Sequence, residues 1–417
     1  MKNLLRRPDA ALLRDVEKAL AAAAGAFPVP PGRRADLPLA VRDLSRLLTR
    51  ERGDLGRSYW SAPRLFAAYV HYFLPWNLCR LAWLLPGLDL FPAPLPQGEL
   101  RLLDLGSGPL TLPLALWCAR PDLRERPVDI VCADLASRPL EVGREALRSL
   151  AGEASPWRAR LTRLPLEKVL DRGGFHLLLA GNVLNELRPG RGESREERIG
   201  RLLFSMSRAL RPGGRVLLLE PGTRLGGRVI VQARGAALEQ GFFPLSPCPH
   251  AGPCPLPGQS RSPALTAWCH FTAPAPDVPA ALLALSRQAR LEKESLALSC
   301  LLLERIAGNS RAGARAARRE APGEDGRDAC PGRNSRSSGG GVVRIISQPI
   351  RLPAYPSSAR YACCAKGLAL VPDAASLPSG SAVRLEWPWP EERDRKTGAL
   401  LLSLAKSSAR KPGSRAP

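Results

Sequence analysis

The stretch Leu102-Leu103-Asp104-Leu105-Gly106-Ser107-Gly108-Pro109 is an apolar run that breaks into a glycine turn. Missing side chains there let the backbone approach a ligand, and the N-terminus of a following helix would face that ligand with free N–H groups. A second run, Asp129–Ala133, ends in Asp134, where a carboxylate can accept both hydroxyls of a ribose. The pair points to adenosine, with Asp104, Gly106, Ser107, Gly108 and Asp134 as candidate binding residues. A third run, Phe175–Ala180, leads into Gly181-Asn182 and then Asn185-Glu186. It puts polar groups, Asn182 first, at the carboxyl edge where open α/β sheets bind ligands. A fourth run follows Pro212-Gly213-Gly214 and reaches Glu220-Pro221-Gly222-Thr223. Leu110 stands where a third glycine usually serves close packing of helix against strand or ligand.

A second constellation is made of cysteines. Cys248-Pro249-His250, Cys254-Pro255 and Trp268-Cys269-His270 fall in a segment rich in Pro and Gly with little periodicity, so its order should come from something other than an apolar face. Three thiolates leave one coordination place. Cys363 of the Cys363-Cys364 pair is the preferred fourth ligand, with Cys364, His250 and His270 as alternatives. Soft all-thiolate sites suit zinc or an iron–sulfur cluster, and the Cys-Pro pairs hint at iron. Cys79, Cys118, Cys132 and Cys300 lie on apolar runs and read as small buried hydrophobes.

The elements that position these groups follow from periodicity. Residues 1–96 read as an N-terminal helical cap: Pro8–Ala24 and Leu37–Arg50 have helical apolar spacing, and Tyr59–Leu85 adds aromatic-rich helices. Leu102–Leu105, Val128–Ala133, His176–Ala180 and Arg215–Glu220 suit parallel strands buried on both faces, so 97–243 is expected to be a Rossmann-like α/β core. The cysteine segment and a helix over Pro279–Arg305 would occupy 244–307, and Gly, Arg and Ser mark 308–341 as a flexible linker. Val342–Ile346, Arg360–Cys364 and Leu368–Val371 suggest a small β unit over 342–390, ahead of a disordered basic tail, 391–417.

The chain of 417 residues carries 61 Lys+Arg against 38 Asp+Glu, a net charge of +23, which favours a polyanion and nucleic acid above all. The most apolar stretch, Leu65–Leu90, is broken by Pro75, Asn77, Arg80 and Pro86, which argues against a membrane span. No secretory leader is evident, and Asp9, Asp15 and Glu17 weaken a mitochondrial presequence, so bacterial cytoplasm is the expected location and mitochondrial matrix the alternative.

Glycine turn, ribose acid, polar edge and Pro-Gly-Gly turn, in this order, resemble the class I methyltransferase fold, which implies S-adenosylmethionine as cofactor. The polar aromatic tetrapeptide of amino-group methylases is absent, since Asn182-Val183-Leu184-Asn185 does not match it, and no catalytic residue is assigned. The set Asp104-Leu-Gly-Ser-Gly-Pro, Glu220-Pro-Gly-Thr-Arg, Cys248-Pro-His, Cys254-Pro, Trp268-Cys-His-Phe, Arg344-Ile-Ile-Ser-Gln-Pro and Tyr72-Phe-Leu-Pro-Trp-Asn is similar to the methyltransferase-like family of the small ribosomal subunit. That resemblance implies a [4Fe-4S] cluster on Cys248, Cys254, Cys269 and one of Cys363 or Cys364. It also implies small-subunit rRNA as partner, with ribosomal proteins possible and no membrane, in ribosome assembly or translation. A non-catalytic assembly factor and a small-molecule methyltransferase are the alternatives.

Overall fold

The computed structural model describes residues 2–49, 59–256, 268–275, 277–306, 339–346, 348–352, 358–388 and 390–404. Helices α1 (Ala10–Ala26), α2 (Leu37–Thr49), α3 (Pro63–Ala68) and α4 (Leu74–Leu84) form the N-terminal cap. Asp9 starts α1 by accepting the Leu12 N–H at 2.8 Å, which satisfies one of the free donors of the first turn. A π-helical turn, Tyr69–Phe73, joins α3 to α4 and swings its aromatic side chains out of the α-helical register. Among the described residues no helix is long and apolar enough to cross a membrane.

The chain continues through β1 (Leu100–Leu105), α5 (Thr111–Ala119), β2 (Val128–Ala133), α6 (Ser137–Ala151), β3 (Trp157–Thr162), α7 (Leu166–Leu170), β4 (Phe175–Gly181), α8 (Arg195–Ala209), β5 (Leu210–Pro221), α9 (Arg224–Glu239), β6 (Phe242–Ser246), β7 (Phe271–Pro274), α10 (Ala280–Gln288) and β8 (Ser295–Arg305). These strands make one sheet in the order β3-β2-β1-β4-β5-β8-β6, with β7 also paired to β8. β1 to β5 run parallel, and β8 enters antiparallel beside β5. That order is the class I methyltransferase topology, and it reverses between β1 and β4, where a doubly wound sheet opens a ligand crevice at the strands' carboxyl ends. Leu102, Leu103 and Leu105 are fully buried because helices cover both faces. Each such side chain contributes roughly 1.5–3 kcal/mol.

The helix expected over Pro279–Arg305 is corrected. α10 ends at Gln288, and the chain returns as β8, buried from Leu298 to Leu303 between β5 on one edge and β6 and β7 on the other. A continuous apolar run carries no period that separates strand from helix, and only the pairing with β5 decides it. The sheet is therefore incomplete at residue 243 and draws its last strands from as far as Arg305. β6 and β7 cover opposite halves of the same edge of β8, so the cysteine segment between them leaves the sheet at that junction.

A second sheet, β12-β9-β10-β11-β13, is built from β9 (Gly340–Ile345), β10 (Arg360–Cys364), β11 (Gly367–Val371), β12 (Ala382–Glu386) and β13 (Leu400–Leu401). The expectation of disorder from 391 onward is corrected for 391–404, because β13 pairs with β11 and Arg393 bridges to Leu400. The linker expected over 308–341 lies outside the described residues up to position 338, as does 405–417. Arg344 of β9 ties the parts together: its Nε donates to the Pro247 carbonyl at 3.0 Å and its Nη1 to the Lys2 and Gly380 carbonyls at 2.9 and 2.5 Å.

Candidate functional site

β1 delivers Asp104 to its carboxyl end, and the chain then turns through Gly106 and Gly108 at φ 64° and 49°, a left-handed backbone that suits glycine. Ser107 pins the turn: its N–H donates to the Ala133 carbonyl at 3.0 Å and its hydroxyl to the Asp104 carbonyl at 2.7 Å. Asp134, at the end of β2, accepts the Gly108 N–H on Oδ2 and the Ala136 N–H on Oδ1, both at 3.0 Å. Asn182 follows β4 with φ 61° and gives its N–H to the Leu219 carbonyl at 2.8 Å. Asp104, Gly106, Ser107, Gly108, Asp134 and Asn182 thus converge on one end of the sheet.

Asp104 is 1% exposed, and neither of its carboxylate oxygens has a hydrogen-bond partner among the described residues. Burial raises its carboxyl to about 8, offset in part by the nearby Ser107 hydroxyl, which gives its hydrogen bond to the Asp104 backbone carbonyl, and helped by a smaller push from Asp134. Glu220 ends β5 and is held by the Asn185 N–H at 3.2 Å and by the Asn185 side-chain amide; burial pushes it to about 7. Over this acidic floor lies an aromatic wall from the helical cap. Trp60 packs 4.7 Å from Tyr69 and 4.3 Å from Tyr59, ring centre to ring centre. A Cβ on Gly108 would stand 3.4 Å from the Trp60 ring. Tyr69 sits in the fields of Glu186, Asp134 and Asp104, which after burial raise its phenol. A cleft with unpaired carboxylate oxygens and π faces suits a ligand that is cationic in one part and aromatic in another.

Leu110 does not fill this cleft. It takes the left-handed conformation itself, φ 55°, as the residue before α5, and its side chain is fully buried in the apolar core. The close approach expected of a third glycine is supplied by Gly143 on α6: a Cβ there would lie 2.4 Å from the Pro109 carbonyl carbon and 2.7 Å from the Leu110 nitrogen. Gly143→Ala is expected to push the glycine turn outward, costing about 1–3 kcal/mol of stability and weakening nucleotide binding. A melt and a binding titration on the same preparation check both. Gly143 carries no local motif and emerges only when α6 is docked.

Cys248 and Cys254 follow β6, Cys269 precedes β7, and Cys363 lies on β10 beside Arg344 of β9. All four are free and partly buried. Burial first, and then the neighbouring thiols, push Cys254 to about 11 and Cys269 and Cys363 well above the usual thiol range, so these thiols lie near enough to act on one another electrostatically. Cys364, on the alternate face of β10, is buried in the second sheet's own core and bonds the Gly367 carbonyl at 3.3 Å. Arg234 of α9, 3% exposed, donates from Nε to Cys248 Sγ at 3.1 Å and from Nη2 to the His250 and Gly252 carbonyls at 2.8 and 2.7 Å. His250 Nε2 meets Cys363 Sγ at 3.3 Å, while His270 stacks on Trp268 and bonds the Trp268 carbonyl at 3.0 Å. Among the described residues no three His, Cys, Asp or Glu are gathered as the shell of a single metal ion. Neither Arg234 nor Arg344 was read as a site residue: Arg234 lies in a helix with no motif around it, and Arg344, although part of Arg344-Ile-Ile-Ser-Gln-Pro, gives no sign in sequence of the carbonyls it holds.

The family model described as mitochondrial small ribosomal subunit Rsm22 matches residues 92–311, more than half of the chain. Two curated relatives from Schizosaccharomyces pombe, Rsm22-cox11 tandem proteins 1 and 2, mitochondrial, are each 26% identical over 199 residues. The match takes in 45% of this chain and 25% of each relative, so the chain spans about a quarter of the curated relatives' length. Similar solved structures include TrmN from Thermus thermophilus, 19% identical, covering 50% of this chain and 45% of that one with a TM-score of 0.28. Another is a putative sarcosine dimethylglycine methyltransferase from Galdieria sulphuraria, 14% identical, covering 63% and 98% with a TM-score of 0.32. The fold rests on the strand order rather than on these likenesses.

Proposed function

The chain belongs to the mitochondrial small ribosomal subunit Rsm22 family, and on that premise we propose that it binds S-adenosylmethionine in the β1–β4 crevice and methylates RNA of the small ribosomal subunit during assembly. The observation that carries donor binding is the buried Asp104 carboxylate with both oxygens unpartnered beneath a glycine turn. An unpaired buried acceptor is costly unless a ligand completes it. When bound, the donor supplies a methyl group on a positively charged sulfur. Asp134 keeps lone pairs beyond the two N–H groups it accepts, and these serve the ribose hydroxyls. Gly106, Ser107 and Gly108 carry the turn against the donor, Asn182 borders it, and the Trp60–Tyr69 wall excludes water. Methyl transfer then needs a positioned acceptor more than an acid or base.

The net charge of +23 supports rRNA as the acceptor's carrier, with affinity falling steeply as salt rises. Cys248, Cys254, Cys269 and Cys363 would hold a [4Fe-4S] cluster, for which four soft thiolates are the usual ligand set. Zinc fits less well, since no three ligands are gathered for a single ion among the described residues. Arg234 and Arg344 place positive charge beside a group that would be anionic. Held by Cys248 and Cys254 after β6, Cys269 before β7 and Cys363 on β10, a bound cluster would serve structure, joining the cysteine segment to the second sheet. We take the mitochondrial matrix as the location, in preference to the bacterial cytoplasm expected from Asp9, Asp15 and Glu17; that the curated relatives are named mitochondrial supports this reading.

Labelled donor, the full chain and small-subunit precursor particles form the test. Label is expected to enter the RNA with wild type and not with Asp134→Ala, which should remain folded while melting somewhat lower because the Gly108 and Ala136 N–H groups lose their acceptor. No transfer, together with rescue of subunit assembly by Asp134→Ala, would sink the enzymatic reading in favour of a non-catalytic assembly factor. Normal ribosome profiles in cells lacking the protein would point to a small-molecule acceptor.

A further inference from the structure

Two guanidiniums grip the cysteine segment where it leaves β6. Arg344 of β9 donates from Nε to the Pro247 carbonyl at 3.0 Å, and Arg234 of α9 donates from Nε to the Cys248 sulfur at 3.1 Å. Arg234 Nη2 reaches onward to the His250 and Gly252 carbonyls at 2.8 and 2.7 Å, so one side chain fixes both Cys248 and the turn that follows it. The same helix meets the other end of the segment. A Cβ on Gly227 of α9 would stand 2.7 Å from Trp268 Cδ1 and 3.0 Å from the Cys269 carbonyl oxygen. That carbonyl accepts the hydroxyl of fully buried Ser299 at 2.8 Å. Cys248 and Cys269 are thus seated against α9 by contacts within the protein itself.

Arg234 and Arg344 are 3% and 1% exposed, and their hydrogen-bond acceptors among the described residues are carbonyls and one sulfur, with no carboxylate. Carbonyls can occupy the N–H groups of a guanidinium but cannot balance its charge, and an unbalanced buried charge is costly. The Cys248 sulfur is the one acceptor in this set that becomes anionic, as a metal thiolate. A cluster bound by four thiolates is a net anion. A charged donor fixed on one of its sulfurs orients that ligand and favours the more negative, reduced state.

We propose that Arg234 is a positioning residue for the metal site: it seats Cys248 and the turn to Gly252 for an iron–sulfur cluster, and its Nε–H on that sulfur raises the cluster's reduction potential. The inference rests on the reading of Cys248, Cys254, Cys269 and Cys363 as cluster ligands.

Full chain purified without oxygen, as wild type, Arg234→Lys and Arg234→Gln, tests it through a redox titration, the rate of iron loss to a chelator, and amide hydrogen exchange after the iron has been removed. Arg234→Gln is expected to titrate at a lower potential than wild type and to lose iron at least about tenfold faster, the loss of a charged hydrogen bond. Its metal-free form should exchange the amides of 247–254 faster than metal-free wild type does. Arg234→Lys keeps the charge but cannot span the sulfur and both carbonyls, so its potential should lie between the two while its exchange resembles that of Arg234→Gln. A cluster whose potential and iron retention are the same in all three proteins would overturn the proposal and leave the cluster reading standing. Faster exchange with an unchanged potential would also overturn it, by making Arg234 a packing element alone. Wild-type protein without iron would overturn it together with the cluster reading. Should Arg234→Gln fail to fold, the Arg234→Lys protein decides by the same three measurements.

Discussion

Cys254→Ser is expected to strip the iron from protein purified without oxygen, taking it from brown with about four irons per chain to colourless. The variant keeps its oxygen where a soft thiolate is needed, and three thiolates no longer close the cluster. Its effect should extend beyond the metal. Without the cluster, the segment between β6 and β7 depends on Arg234 holding the His250 and Gly252 carbonyls, and the Arg344 bond to Pro247 loses a fixed partner. A lower melting temperature and faster proteolysis near position 250 should accompany the loss of colour. Cys364→Ser should keep the iron, because Cys364 lies on the other face of β10 in a separate core. Colourless wild-type protein with one zinc would keep a thiolate site and reject the cluster; wild-type protein with no metal would reject both.

Asp104→Asn is expected to abolish donor binding while raising stability at neutral and alkaline pH. Burial lifts the Asp104 carboxyl from 3.8 to about 8. A group raised in the folded state contributes stability that is fully present below the unfolded value and is lost as pH climbs through the folded one. The wild type should therefore lose stability steadily between about pH 4 and pH 8 relative to the variant. The gain for Asn at pH 9 should be about 1–3 kcal/mol, less than the full shift implies because relaxation and water lessen the penalty. Melts at several pH values read this directly. A variant that is less stable than wild type at pH 9 would show that Asp104 is satisfied in the folded chain and is not held for a ligand.

Much of the geometry of the candidate site was legible because its signals are local. A glycine turn after an apolar strand, and an acid at the end of the next strand, follow from spacing along a few residues, and Asp104, Gly108 and Asp134 meet as that spacing implies. The sheet's completion was not legible. β8 reads as helix or strand with equal ease until β5 claims it, and β3 hides because Arg158 and Arg160 face outward on an edge strand. The same limit applies to Gly143, whose need for no side chain is set by Pro109 on another element. It applies also to Arg234 and Arg344, whose partners lie at least 14 and 36 residues away. Leu110 stands where a third glycine is usual, yet its side chain goes into the apolar core.

The account stands most directly on donor binding. Equilibrium dialysis of tritiated S-adenosylmethionine against the full chain, wild type beside Asp134→Ala, measures it without any assumption about the acceptor. Saturable binding near one molecule per chain, lost in a variant that stays folded at the assay temperature, is the predicted result; wild-type protein that retains no donor at saturating concentration would contradict it.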